Sequence, residues 1–277
     1  MWYEAFMRWM VLVGVGACAG GDTEPGTPAP VTFTSVGFNA ESGGSQSDLV
    51  AEETIAPVRG ESIWGLAEVE DDAAAAQFVA AAKDPDSDQD FQYVLGTTGR
   101  DDRLVLAWDD AKFALERWEE LEDINIGGTA RAPLVGHMRE RSTETAFLLV
   151  VNHLWRTDDS ARRRQGELLN AWGVAQTGPI VMIGDFNFDW DVEDGTHDRG
   201  YDNLVANDVF VWVRPDPIVK TQCSGFNSVL DFAFVGGTAK SWVSSAEILY
   251  TDNVYCSSRN EDRLSDHRPV AFTITTP

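Results

Sequence analysis

The sequence predicts an α/β domain in which β-sheets are packed between helices. Three observations point there. Short apolar runs of strand type recur along almost the whole chain, a few helical stretches are mixed among them, and no repeat or internal linker divides them. At 277 residues, with 43% apolar side chains, the chain is long enough for one large domain with a sizeable core.

The elements follow in order. VTFTSVGF (31–38) is β-rich and ends at Asn39, and residues 48–58 have helical character. IWGLAEVE (63–70) is a buried strand that turns polar at its end. DDAAAAQFVAAAK (71–83) is a helix whose leading acids suit the positive end of its dipole. FQYVLG, RLVLAWD and FALERW, within 91–118, predict three strands of a meander, and the acidic, then Gly-rich residues 119–130 predict a loop. APLVGHMR (132–139) and TAFLLVVNHL (145–154) alternate as strands do. Residues 158–175 form the clearest helix, with Ala161, Gln165, Leu168, Leu169 and Trp172 on one face. Arg162, Arg163 and Arg164 spread around the other side, as a solvated face or, alternatively, a nucleic-acid patch. IVMIGDFN (180–187), FVWV (210–213), VLDFAFVG (229–236), SWVSSAEILY (241–250) and PVAFTIT (269–275) complete the strands.

The N-terminus carries a different signal. Residues 9–17 (WMVLVGVGA) are apolar but too few to span a bilayer. Such a run ending in small residues reads as a secretory signal, residues 1–17. Val15-Gly16-Ala17-Cys18 resembles the lipobox of bacterial lipoproteins, which makes Cys18 the expected lipidation site; a simple signal peptide or a misplaced start codon are the alternatives. Residues 18–30 are rich in Gly and Pro and read as a tether, so the folded domain is expected over 31–277. The expected location is outside the cytoplasm, as a membrane-anchored lipoprotein or a secreted protein. Cys223 and Cys256 remain, and in an exported chain an isolated pair suggests a disulfide; two unrelated buried thiols are the alternative.

The net charge of −24 suits a salty or extracellular medium. It disfavours tight, non-specific DNA binding unless metal ions or salt offset the field. The acidic stretch 185–194 fails the EF-hand pattern, because its glycine falls one place late, at Gly195; a solvated loop is expected, with a structural Ca²⁺ site as the alternative.

Certain polar residues follow or interrupt the apolar strands: Asn39, Glu68, His153, Asp185, Asn187, Asp231 and Asp266-His267. Strand ends on one sheet edge can converge. Carboxylates and amides are hard ligands suited to Mg²⁺, Mn²⁺ or Ca²⁺, and histidine moves protons near neutral pH. Two of the four histidines fall in this set. The combination points to metal-assisted hydrolysis of a phosphate ester, and no Cys/His cluster has zinc spacing. Singly each residue has an ordinary role, such as capping a turn; the ordered set carries the weight.

In that order the chain resembles the endonuclease/exonuclease/phosphatase superfamily. The matching segments are SVGFNAESGG (35–44), IWGLAEVED (63–71), DRLVLAWDDAKFAL (102–115), RAPLVGHMR (131–139), FLLVVNHLWR (147–156), IVMIGDFN (180–187), VLDFAFVGG (229–237) and LSDHRPV (264–270). The resemblance implies a four-layer α/β sandwich, two mixed and mostly antiparallel sheets flanked by helices. It implies Glu68 as main Mg²⁺ ligand, with Asn39 and Asp266 supporting the metal. Asp185 and Asn187 would orient the water and the phosphate. His267, its ring fixed by Asp231, would be general base or phosphate-oxygen stabiliser, and His153 would contact the phosphate or help the leaving group. Ala67 replaces the family's usual glutamine, Phe38 stands where many members have tryptophan, and no tyrosine segment like that of the repair enzymes surrounds His153. A monomeric Mg²⁺-dependent phosphodiesterase or nuclease is expected, acting on a phosphate-ester substrate. A phospholipid or sphingomyelin phosphodiesterase or a small-metabolite phosphatase is the alternative, and a catalytically inactive binding lipoprotein the third.

Overall fold

The computed structural model describes residues 29–277 apart from Ser42, Ser224, Asn253, Ser258, Arg259, Glu261 and Asp262. The expected signal 1–17, Cys18 and all but the last two residues of the tether 18–30 lie outside the described residues. In chain order the strands are β1 (Thr32–Asn39), β2 (Ile63–Val69), β3 (Phe91–Leu95), β4 (Arg103–Asp109), β5 (Phe113–Glu120) and β6 (Leu134–Glu140). They continue with β7 (Ala146–His153), β8 (Ile180–Asp191), β9 (Phe210–Trp212), β10 (Ser228–Gly236), β11 (Val243–Ile248) and β12 (Val270–Thr275). The helices are α1 (Ser47–Leu49), which runs on through wider and tighter turns to Val58, α2 (Asp72–Ala82), α3 (Asp159–Val174) and α4 (Arg199–Val205).

The strands form two six-stranded sheets, ordered β11-β12-β1-β2-β4-β3 and β5-β6-β7-β8-β10-β9. Each has one parallel pair near its middle, β1 with β2 and β7 with β8, and its other pairings are antiparallel. Parallel neighbours end on the same edge of a sheet. The β1–β2 pairing ends at Asn39 and Ala67, beside Glu68, and the β7–β8 pairing ends at His153 and Asp185, from where β8 runs on along β10 to Asp191.

Alternation along the strands divides the apolar side chains into three layers. Phe33, Leu106, Phe113, Phe147, Leu149, Val151 and Ile183 fill the space between the sheets. Phe33, Phe113 and Phe147 meet ring to ring where their strands begin, at the end away from Asn39 and His153. Phe38, Trp64, Leu66 and Val105 pack outward against α2 and the 47–58 segment. Phe186, Phe188, Phe232, Phe234 and Trp212 pack outward with Leu169 of α3 and Leu204 of α4. The result is the four-layer sandwich that the resemblance implies.

Three expectations change. β3, β4 and β5 are strands but not a meander: β5 crosses to the second sheet, because β4 already has β2 and β3 on its two edges. Arg162 is buried, not solvated, and its guanidinium reaches Asp159, Asp198 and the carbonyls of Trp155 and Arg156. Arg163 also reaches Asp198, so these two arginines tie α3 to the N-cap of α4, while Arg164 pairs with Glu167 on α3. The helix α4 was not anticipated; its seven residues are too short to show periodicity, and the Asp198 cap is its one local signal.

Gly184 adopts a φ of +128°, and a Cβ there would lie 2.2 Å from the Asn152 carbonyl oxygen. Gly184→Ala should therefore cost about 3 kcal/mol or more in urea unfolding, from strain plus overlap. Gly178→Ala, where a Cβ meets nothing within 4 Å, should unfold close to wild type. Equal stability of the two variants would contradict the packing described.

Candidate active site

The site forms where the two parallel pairs end. A register shift between Leu66 and Val69 in β2 puts Glu68 at φ +54°, and Asn187 in β8 sits at φ +53°. Left-handed backbone costs a residue such as glutamate roughly 1–2 kcal/mol, so Glu68 is held there by its surroundings, whereas asparagine adopts it readily. Along β8 the alternation sends Phe186 and Phe188 into the outer core and leaves Asp185 and Asn187 for the inner face.

Asn39 bridges the sheets. Its amide nitrogen donates to Glu68 Oε1 at 2.8 Å and to Asp185 Oδ2 at 3.2 Å, while its oxygen accepts the Glu41 N–H. His153 Nε2 lies 3.6 Å from Glu68 Oε1 and 3.5 Å from Asp185 Oδ2, and its Nδ1 lies 3.3 Å from Asp102 Oδ1. None of the three is aligned as a hydrogen bond, so both ring nitrogens are buried and unpartnered. His267 Nδ1 meets Asp231 Oδ2 at 2.8 Å, and its Nε2 points between Asp185, at 3.8 Å, and Asp266, at 3.6 Å. Asn187 donates its backbone N–H to Asp185 Oδ1 and its amide nitrogen to the Leu154 carbonyl. The structure thus brings all eight sequence-predicted residues of the catalytic and metal sets to one place.

The 265–267 turn is anchored on both sides. Ser265 donates its hydroxyl to the Asn39 carbonyl and accepts the His267 N–H. Cys223 and Cys256 form a disulfide, and the Cys223 N–H donates to the Asp266 carbonyl. The cross-link therefore holds the loop beside the Asp266–His267 pair.

Burial and charge set the protonation states. Burial, reinforced by Arg131, pushes His153 down to about 3 against the pull of Asp185 and Glu68, so its ring is neutral. Burial also opposes charge on His267, but Asp231, Asp185 and Asp266 together outweigh it and raise its pKa well above the usual value. The two histidines thus differ in charge within one site, an uncharged ring beside an imidazolium. Burial lifts Asp185 as well.

Three contributors were missed from the sequence. Burial raises Asp102 to about 6 against the opposing effect of Arg131. Arg131 pairs with Asp102 and donates Nε–H to the His153 carbonyl. Both open segments that carry the family resemblance, 102–115 and 131–139, which was the available signal. Glu41 accepts the Asp266 N–H at 2.9 Å; burial, with Asp266 and Glu68 nearby, moves it up to about 7.

The donors fit a hard divalent cation. Glu68, Asp102 and His153 form one group with ligand atoms within 4.8 Å of one another, and Asp185, Asp231 and His267 form a second. Carboxylate oxygens dominate both groups and no cysteine takes part, which suits Mg²⁺, Mn²⁺ or Ca²⁺ better than a thiophilic metal.

No protein-family model and no curated protein matches the chain. Solved structures do. An endonuclease/exonuclease/phosphatase family protein from Bacteroides thetaiotaomicron matches at TM-score 0.65 and 18% identity, over 90% of this chain and 97% of that one. A mannosyl-6-phosphatase from the same species matches at TM-score 0.62 and 18% identity, over 87% and 99%. D. rerio TDP2 complexed with a single-strand DNA product matches at TM-score 0.64 and 10% identity, over 88% and 99%. At these identities the likeness concerns the fold.

In metal-free protein, ring NMR signals should show His267 protonated well above pH 6.5 and His153 neutral down to about pH 3. Asp231→Asn removes the nearest negative charge and should lower the His267 pKa. A wild-type His267 that titrates at or below 6.5 would contradict the pairing.

Proposed function

On this endonuclease/exonuclease/phosphatase fold, we propose that the chain is a divalent-metal-dependent hydrolase of phosphate esters, of phosphodiesterase or nuclease type. The observation that carries the reading is the convergence of Glu68, Asp185, Asp266, His153 and His267 on one site, with both ring nitrogens of His153 buried and unpartnered. Such nitrogens need a polar ligand. A phosphate oxygen or a cation supplies one.

Glu68, supported by Asn39 and Asp266, would hold the ion, and Mg²⁺ is the first choice. When bound, the ion neutralises charge on the phosphoryl oxygens. The protein's own groups do the rest. The His267 imidazolium, held by Asp231, donates Nε2–H toward a phosphoryl oxygen. Asp185 stands between the two histidines, where it can align an attacking water through its carboxylate. Asn187 fixes Asp185 through its backbone N–H. The neutral His153 ring, whose Nδ1 lies 3.3 Å from Asp102 Oδ1, is placed to donate a hydrogen bond to the phosphoryl group or its leaving oxygen. Arg131, paired with Asp102, holds the His153 backbone through its carbonyl.

Export is part of the proposal. The apolar run 9–17 and Cys18 support it from the sequence, and the Cys223–Cys256 disulfide suits an oxidising compartment. A lipid on Cys18 would anchor a monomeric domain to a membrane through the 18–30 tether.

Bis-p-nitrophenyl phosphate should be hydrolysed with Mg²⁺, Mn²⁺ or Ca²⁺ and not after chelation. Glu68→Gln and His267→Ala should each lower kcat by about 10²–10⁴-fold while circular dichroism stays unchanged. Full activity in both variants would sink the assignment. Cys223→Ser should remove about 3–4 kcal/mol of stability, read by thermal unfolding, because its partner lies 33 residues away.

A further inference from the structure

Glu120 takes no part in the chemistry, yet it holds the loop that carries Asp102. It is the last residue of β5, an edge strand of the second sheet. It stands opposite Leu134 of β6, whose side chain belongs to the core between the sheets. Directly opposed residues share a face, so the Glu120 side chain reaches toward the first sheet. There it meets residues 96–102, which connect the edge strand β3 to β4. Glu120 Oε1 accepts the Thr97 and Thr98 N–H groups, each at 3.0 Å, and the Thr98 hydroxyl at 2.7 Å. Its Oε2 accepts the Thr97 hydroxyl. Gly96 leaves room for the carboxylate, since a Cβ there would lie 3.0 Å from Glu120 Oε1. Burial opposes charge on Glu120, but the hydrogen bonds of Thr97 and Thr98 outweigh it and lower its pKa. Both oxygens therefore remain acceptors.

The clasped loop reaches His153 by two routes. Thr98 carries the first: its hydroxyl donates to Glu120 and accepts the Ala132 N–H at 2.9 Å, which fixes the residue after Arg131. Arg131 in turn donates Nε–H to the His153 carbonyl at 3.0 Å. Asp102 carries the second. Gly99, at φ +95°, folds the loop back so that the Asp102 N–H donates to the Gly99 carbonyl at 3.0 Å. A Cβ on Gly99 would lie 2.1 Å from the Asp102 carbonyl oxygen and 3.0 Å from Arg131 Cβ, so glycine is required for this approach. Asp102 then pairs with Arg131, and its Oδ1 lies 3.3 Å from His153 Nδ1. The loop belongs to the first sheet, whereas Arg131 and His153 belong to the second. Glu120 thus holds one sheet's loop to the other sheet at the point where both routes begin.

We propose that Glu120 is a positioning residue for the active site: by clasping the 96–102 loop it sets Arg131 and Asp102 against His153. This rests on the phosphoester reading above, in which His153 serves the phosphoryl group. Hydrolysis of bis-p-nitrophenyl phosphate tests it. Glu120→Ala should lower kcat about 10–100-fold, because it lets the groups around His153 drift. The Mg²⁺ concentration for half-activation should stay the same, since Glu68, Asn39 and Asp266 do not hang on this loop. Glu120→Gln keeps an oxygen for three of the four hydrogen bonds and should retain kcat within about threefold of wild type. Asn170→Ala, which loses two hydrogen bonds between α3 and α4, should lower the melting temperature and leave kcat unchanged. In an Asp102→Asn background the further loss from Glu120→Ala should shrink to about twofold or less, because the two act along one chain. Amide exchange reads the same link without turnover: the Ala132 N–H should exchange about tenfold faster in Glu120→Ala. Wild-type kcat in Glu120→Ala, a full additional loss in the Asp102→Asn background, or unchanged Ala132 exchange overturns the proposal while the phosphoester reading stands. No hydrolysis by the wild type with Mg²⁺, Mn²⁺ or Ca²⁺ overturns both.

Discussion

The site depends on how closely the two sheets approach at one end. A Cβ on Gly37 of β1 would lie 3.1 Å from the Gly184 backbone nitrogen of β8, and one on Gly65 of β2 would lie 2.8 Å from Ile183 Cδ1. Without side chains at these positions, the ends of the two parallel pairs come near enough for Asn39 on one sheet to hydrogen-bond Asp185 on the other at 3.2 Å. The phenylalanines packed between the opposite strand ends keep that end filled. A larger residue at Gly37 or Gly65 would act on the chemistry from inside the core, by separating groups that must meet.

That approach concentrates carboxylates where burial penalises their charge. The protein offsets the cost in three ways: an imidazolium at His267 against Asp231, a guanidinium at Arg131 against Asp102, and the Asn39 amide between Glu68 and Asp185. The offset is incomplete, since Asp231 Oδ1, Asp102 Oδ1 and both His153 nitrogens lack partners. A divalent ion and an anionic phosphoryl group together would complete it. The same imbalance that makes the ligand-free site costly is what would bind these two ligands.

Much of this was legible in the sequence, because strand ends and hard ligands leave local traces. Asn39, Glu68 and His153 stand at the ends of apolar strands and Asp185 interrupts one, and the structure gathers all four. Asp266-His267 stood out as a polar pair just before the last strand. Other features had no local trace. Glu41 lies inside the matching segment 35–44 but looks like any loop acid; the backbone turn that presents it to Asp266 gives it its place. Arg162 belongs to an exposed-looking triplet, and its burial depends on α4, which is too short to announce itself. The crossing of β5 depends on which edges of β4 are already filled, a property of the whole sheet.

One divalent ion and one phosphoryl group should share this edge. The most direct measurement is a crystal grown with Mn²⁺ and inorganic phosphate, with the metal located by anomalous scattering. A Mn²⁺ peak coordinated by Glu68 is expected, with phosphate oxygens facing His153 and His267. A well-ordered site with no metal at Glu68, or with metal and phosphate bound elsewhere on the protein, would contradict it.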